Sequence, residues 1–106
     1  MVNSKRKGAV GEREFANLCK EHGFDVRRTA QYNGKELDSK ADVVGLEGIH
    51  AEVKRVERLN VENAIEQAVR DCKEGLPTVF HRKNGKEWLV SMRFKDWIKL
   101  YDKWIH

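Results

Sequence analysis

The sequence predicts an α/β fold: a single mixed five-stranded sheet with helices on both faces, its elements in the order αβββαββα. Three observations lead there. Apolar residues recur at helical spacing before, within and after the strand-like stretches, so helices are available to both faces of one sheet. Residues 41–55, "ADVVGLEGIHAEVKR", read as two strands joined by a Gly-containing turn. In "KNGK", residues 83–86, an Asn-Gly pair separates two more strand-like stretches, a strong hairpin signal. No internal repeat divides the 106 residues, which make one domain, 1–106, long enough to bury a core.

Taken in order, the chain opens with a basic N-terminal arm over residues 1–7, carrying Lys5, Arg6 and Lys7. The first helix is predicted over residues 8–22, where Phe15, Leu18, Cys19 and His22 recur at helical spacing and Gly23 stands as the C-cap. Glu12 breaks its pattern. At about 100° per residue it lies one turn before Phe15 and Ala16, on the apolar side, while Arg13 and Glu14 point away. A carboxylate on the core side of a helix requires a partner. Residues 24–29 alternate apolar and polar as a strand, and residues 30–40, with "QYNGKELDSK", form a polar, mobile loop.

Strands follow at residues 42–46 and 49–55. A helix over residues 59–74 carries Val61, Ala64, Ile65, Ala68, Val69 and Cys72 as one stripe, with Asn60 as its cap and Gly75 and Pro77 ending it. The hairpin strands are residues 78–82 and 87–92. Phe94, Trp97, Ile98, Tyr101, Trp104 and Ile105 mark a C-terminal helix, whose stripe reads first as core packing and second as a dimer surface.

Composition excludes more than it selects. Hydrophobic residues make up 40% and charged residues 36%, and no apolar run approaches the roughly 20 residues that cross a bilayer, so no membrane role is expected. The basic start has no apolar stretch behind it, so no secretory signal is expected and the cytoplasm is the expected compartment. Cys19 and Cys72 lie on apolar stripes outside any Cys/His cluster and read as reduced core residues. A net charge of +4 permits an anionic partner without requiring one. Lys5, Arg6, Lys7, Arg13, Arg27 and Arg28 read either as solvated surface or as phosphate contacts.

The sharper signal is in residues 41–55. Side chains alternate along a strand, so Glu52 and Lys54 share one face while Ile49, Ala51 and Val53 share the other. A two-residue loop at Glu47 and Gly48 would pair Asp42 with Val53 and turn it away from Glu52. A three-residue loop over Leu46, Glu47 and Gly48, with Gly48 left-handed, pairs Val43 with Ala51 and brings Asp42 beside Glu52. The apolar and charged patterns agree only in the second case. Adjacent carboxylates raise each other's pKa unless a cation intervenes. Lys54 alone would serve, as a surface cluster. A divalent cation such as Mg²⁺, which takes carboxylate oxygens with water and phosphate, would also serve, and Glu12 supplies a third acid if its helix packs over this strand face.

The D-x9-E-x-K pattern of Asp42, Glu52 and Lys54 resembles the PD-(D/E)XK nuclease signature, with Ala41 in place of the proline. The flanks "KGAVGERE", "GFDVRR" and "ADVV" are similar to the N-terminal half of archaeal-type Holliday junction resolvases and to small phage nucleases of that type. The C-terminal half is similar in architecture. The resemblance implies a restriction-endonuclease-like core and a Mg²⁺-dependent endonuclease, with Mn²⁺ able to substitute, acting as a homodimer on branched DNA without a small-molecule cofactor. Asp42, Glu52 and the Val53 carbonyl would hold the metal. Lys54 would orient a water or meet charge on the phosphate, and Glu12 would complete a second metal position or bind through water. Arg13 and Arg28 would contact phosphates, and the arm would grip a neighbouring duplex.

Some members use a glutamine on the helix after the E-x-K strand, which points to Gln67, about 200° from Ile65 and otherwise a solvent-facing residue. His81 and Arg82 end a strand beside a basic turn and are candidate phosphate contacts. Asp38 and Ser39 lie in the loop before Asp42; Asp38 is the alternative ligand to Asp42, without a strand behind it. Two other functions stay open: a nuclease of the same chemistry acting on single strands or flaps, and a non-catalytic basic DNA-binding domain.

Overall fold

The computed structural model describes residues 4–29 and 41–106 of the chain. Its elements run α1 (Ser4–Glu21), β1 (Arg27–Arg28), β2 (Val43–Val44), β3 (Ile49–Arg55), α2 (Val61–Asp71), β4 (Leu76–Arg82), β5 (Leu89–Ser91) and α3 (Phe94–Ile105), in the expected order. One sheet holds all five strands in the order β1-β2-β3-β4-β5. Only β3 and β4 run parallel, so the sheet is mixed. That pair is parallel because α2 carries the chain back across the sheet between them.

The two-residue period of β3 sorts its side chains. Ile49, Ala51 and Val53 join Phe15, Ala16, Val26 and Val43 in one core under α1, where the Phe15 ring packs 4.5 Å from Phe80 and 5.3 Å from Trp88. His50, Glu52 and Lys54 take the opposite face. Glu52 lies beside Val79 there, and α2 seats Ala64 and Ala68 on Val79. Burying a valine such as Val79 contributes roughly 1.5–3 kcal/mol. The expectation that α1 would lie over Glu52 and Lys54 is therefore corrected. The apolar face of β3 matches the Phe15 stripe, and the charged face falls to α2, whose contact residues are small.

Val43 pairs with Ala51, so residues 46–48 form the three-residue loop, closed by the Ile49 N–H on the Leu46 carbonyl at 3.0 Å. Gly48 takes φ +83°, which a side chain would disfavour. Several boundaries differ from the expected ones. α1 begins at Ser4, so Lys5, Arg6 and Lys7 fall within its first turns and not in a separate arm. β1 and β2 are two residues each, β5 is three, and Asp42 stands just outside β2. Asn60 caps α2 as expected, its Oδ1 accepting the Asn63 N–H at 3.0 Å.

Pro77 lies inside β4. The Leu76 N–H reaches the Gly48 carbonyl at 2.8 Å, toward β3, so the donor that Pro77 lacks would face the other side. β5 starts pairing there only at Val79, and no ladder bond is lost.

The core reading of α3 is corrected. Trp97, Ile98, Tyr101, Trp104 and Ile105 are all exposed, Trp104 by 84%. The buried residue of this helix is Asp96, held by Arg93 Nε at 2.8 Å. Both faces of the sheet are already covered by α1 and α2, so the aromatic stripe has no core to enter; Trp97 and Tyr101 stack on each other at 5.3 Å. Cys19 and Cys72 are partly buried thiols, and burial raises the Cys19 pKa. Among the described residues no helix is long and apolar enough to cross a membrane.

Candidate active site

The site forms where β3 ends and β2 begins. Asp42 is positioned by three hydrogen bonds. Its N–H donates to the Ala51 carbonyl at 2.8 Å, and its carbonyl accepts from the Thr29 N–H at 3.0 Å. Its Oδ2 accepts from the Val53 N–H at 2.8 Å. The side chain thus supplies the acceptor that one more residue of β2 would have supplied, and this locks the carboxylate. In an extended residue N–H and C=O point the same way, so the Val53 carbonyl is also turned toward Asp42.

Glu52 is only 2% exposed, and its Oε1 lies 3.0 Å from Nε2 of His50, which is fully buried. Burial and then the charge of Glu52 push the Asp42 pKa from the ordinary 3.8 to about 7; the Val53 N–H opposes that rise, and the charge of Glu12 adds to it. Lys54 does not balance this pair. Its Nζ donates to Gln67 Oε1 at 3.1 Å, across to α2. A surface cluster of Asp42, Glu52 and Lys54 is excluded by these two facts: Glu52 is buried, and the ammonium is directed elsewhere.

Glu12 finds its partner in Arg28, whose Nε lies 3.1 Å from Oε1 with both side chains mostly covered. The helix therefore contributes to the site from its edge, near the start of β2. Arg13 is exposed on α1, and Arg27 is exposed with Asp25 at 3.9 Å. The side chains of Lys5, Arg6 and Lys7, and Asp38 and Ser39, lie outside what is described.

Two features escape sequence reasoning. His50 is one; strand parity alone places it on the face of Glu52 and Lys54. The other is the bridge of Glu14 between Arg55 and Arg82. Those arginines are opposite each other on β3 and β4. Glu14 accepts from Arg55 Nε at 3.3 Å and from the Arg82 guanidinium, so one acid relieves two adjacent cations. Burial pushes the Glu14 pKa up, but the Arg82 hydrogen bond and the Arg55 charge outweigh it, and the value ends below the ordinary one. Gly11 permits this approach: a Cβ there would come within 2.6 Å of Arg55 Cβ. Arg82 also donates to the Lys86 carbonyl at 2.6 Å. Its guanidinium is thus committed within the fold, as is His81, which lies 2.8 Å from Ser91 Oγ and whose pKa burial lowers.

Beyond Lys54 a cleft of about 630 Å³ opens between the β3–α2 connection and the β4–β5 turn. Val56, Leu59, Val61 and Leu89 line it, with Arg58, Lys83 and Lys86 also contributing. A family model described as archaeal Holliday junction resolvase (Hjc) matches residues 3–102. The chain belongs to this family. It is thereby a member of the PD-(D/E)XK nuclease superfamily, and the resolvase family comprises metal-dependent nucleases acting on DNA. The match extends through the C-terminal half, where the motifs are silent. No curated protein matches the chain.

Whether these residues suit a metal depends on their own donors. Among the described residues no group of three or more His, Cys, Asp and Glu side chains converges to cage an ion. The donors available are two neighbouring carboxylates, one of them held in an electrostatically unfavourable state, and the Val53 carbonyl on the strand edge that faces Asp42. Hard oxygen donors few in number suit Mg²⁺, which keeps several waters and takes phosphate oxygens for the rest. The residues fit.

Proposed function

We propose that the chain is a Mg²⁺-dependent endonuclease that resolves four-way DNA junctions as a homodimer. The observation that carries this reading is the mutually repelling pair of half-buried Asp42 and buried Glu52 beside a lysine that is not its counterion, in a chain of the resolvase family. Asp42, Glu52 and the Val53 carbonyl hold the metal, which Mn²⁺ can replace, and Glu12 reaches a second position or acts through water. When bound, a divalent cation supplies positive charge against the scissile phosphate and acidifies water.

The chain's own residues do the rest. Gln67 aims Lys54, and Lys54 orients the attacking water or meets the charge that develops on the phosphate. Arg13, Arg27 and Arg28 contact phosphates on the β1 side, with Lys5, Arg6 and Lys7 on an adjoining arm of the DNA. The cationic residues of the cleft extend this surface toward β5. Four strand spacings of about 4.8 Å give it a width of roughly 19 Å. The exposed aromatic face of α3 supports the homodimer, since tryptophan and tyrosine are favoured at interfaces.

The test is a panel of labelled four-way junction, flap, single strand and linear duplex, incubated with Mg²⁺ and then with EDTA. Junction cleavage that requires Mg²⁺ and is lost in Glu52→Gln and Lys54→Ala is the expected result. Equal cutting of all four substrates would remove the resolvase assignment and leave the nuclease. Cleavage undiminished by EDTA or by either substitution would remove both.

A further inference from the structure

His50 belongs to no part of the motif, yet its ring is held against Glu52, two residues along the same strand. We propose that His50 is a positioning residue, whose Nε2–H holds Oε1 of Glu52 so that the second carboxylate oxygen is presented to the cation position beside Asp42. The inference rests on the metal-nuclease reading above.

The geometry leads to it step by step. Residues two apart on a strand share a face about 6.7 Å apart, a gap that an imidazole and a glutamate can bridge. The contact is 3.0 Å, between groups 0% and 2% exposed, so water does not compete for it. With the Glu52 carboxylate as the acceptor of this contact, Nε2 of His50 carries the proton. The backbone of Glu52 is fixed by the parallel ladder with β4, and the hydrogen bond to His50 restrains the remaining side-chain torsions. A ligand with one oxygen restrained offers the other in one direction, and loss of such an outer partner typically weakens metal affinity 10–100-fold.

The experiment uses the full chain and Ca²⁺ alone as the probe, read by calorimetry and by long-range ¹H–¹⁵N spectra of the histidine rings. In the wild type, His50 is expected to show a protonated Nε2. Its signals are expected to move on Ca²⁺ addition while those of the exposed His22 and His106 stay in place. His50→Leu should bind Ca²⁺ 10–100-fold more weakly, and His50→Gln, whose amide nitrogen can replace Nε2–H, should stay within about threefold of wild type. An unprotonated Nε2, or His50→Leu binding Ca²⁺ as the wild type does, overturns the proposal and leaves the nuclease reading intact. The spectra decide the matter even if His50→Leu fails to fold. A wild type that neither binds Ca²⁺ nor cuts DNA in Mg²⁺ overturns the nuclease reading, and the proposal with it.

Discussion

Replacing Asp42 with asparagine should make the metal-free protein more stable and inactive at once. Asp42 titrates near 7 in the fold against 3.8 ordinarily, because burial and then Glu52 disfavour its charge. Between those two pH values the native state binds more protons than the unfolded chain, so stability falls as pH rises through the window. At about 1.4 kcal/mol per pH unit the full cost above pH 7 is about 4 kcal/mol. Relaxation and water entry reduce it, and a gain of about 2 kcal/mol is expected for Asp42→Asn at pH 8. By pH 3 the gain should shrink to less than about 0.5 kcal/mol, since Asp42 is then neutral in the native state and largely so in the unfolded one. The asparagine oxygen can still accept from the Val53 N–H, so that anchor survives.

The assay is urea unfolding of both proteins at pH 3 and pH 8, with and without Mg²⁺. Mg²⁺ should stabilise the wild type, by about 2.7 kcal/mol at a hundred times its dissociation constant, and leave the variant unmoved. A variant less stable than wild type at pH 8, or equal stabilisation of both by Mg²⁺, would refute the electrostatic argument.

Gln67→Ala should release Lys54 and lower junction cleavage about tenfold with little change in unfolding temperature; unchanged cleavage would show that Lys54 needs no guide. Gly11→Ala should destabilise the protein by about 1–3 kcal/mol in urea, because its methyl would meet Arg55 Cβ, and a neutral result would mean that α1 shifts freely. Trp104→Glu should weaken self-association in sedimentation velocity while leaving the unfolding temperature unchanged, since this side chain is largely exposed; retention of the dimer would move the interface away from the end of α3.

Much of this was legible in advance wherever a local pattern had a single reading. The parity of "IHAEVKR" sorted β3 into two faces, and the need to keep both faces consistent selected the three-residue loop that the Val43–Ala51 pair displays. The stripe of α2 and its Asn60 cap were equally local. Reading failed where two elements competed for one surface. The stripe of α3 looks like a core stripe, and only the prior coverage of both sheet faces by α1 and α2 leaves it exposed.

The sequence by itself determined the order of elements, the register of β2 on β3 and the acidic pair with its lysine, because each follows from periodicity over a few residues. Tertiary structure decided the partners. Lys54 met Gln67, Glu12 met Arg28, and Glu14 bridged Arg55 and Arg82. It also decided that α2, and not α1, covers the charged face. The physical reason is that a side chain's period states which way it points, whereas its counterpart depends on which other face has the complementary shape and charge, and that face comes from residues distant in the chain.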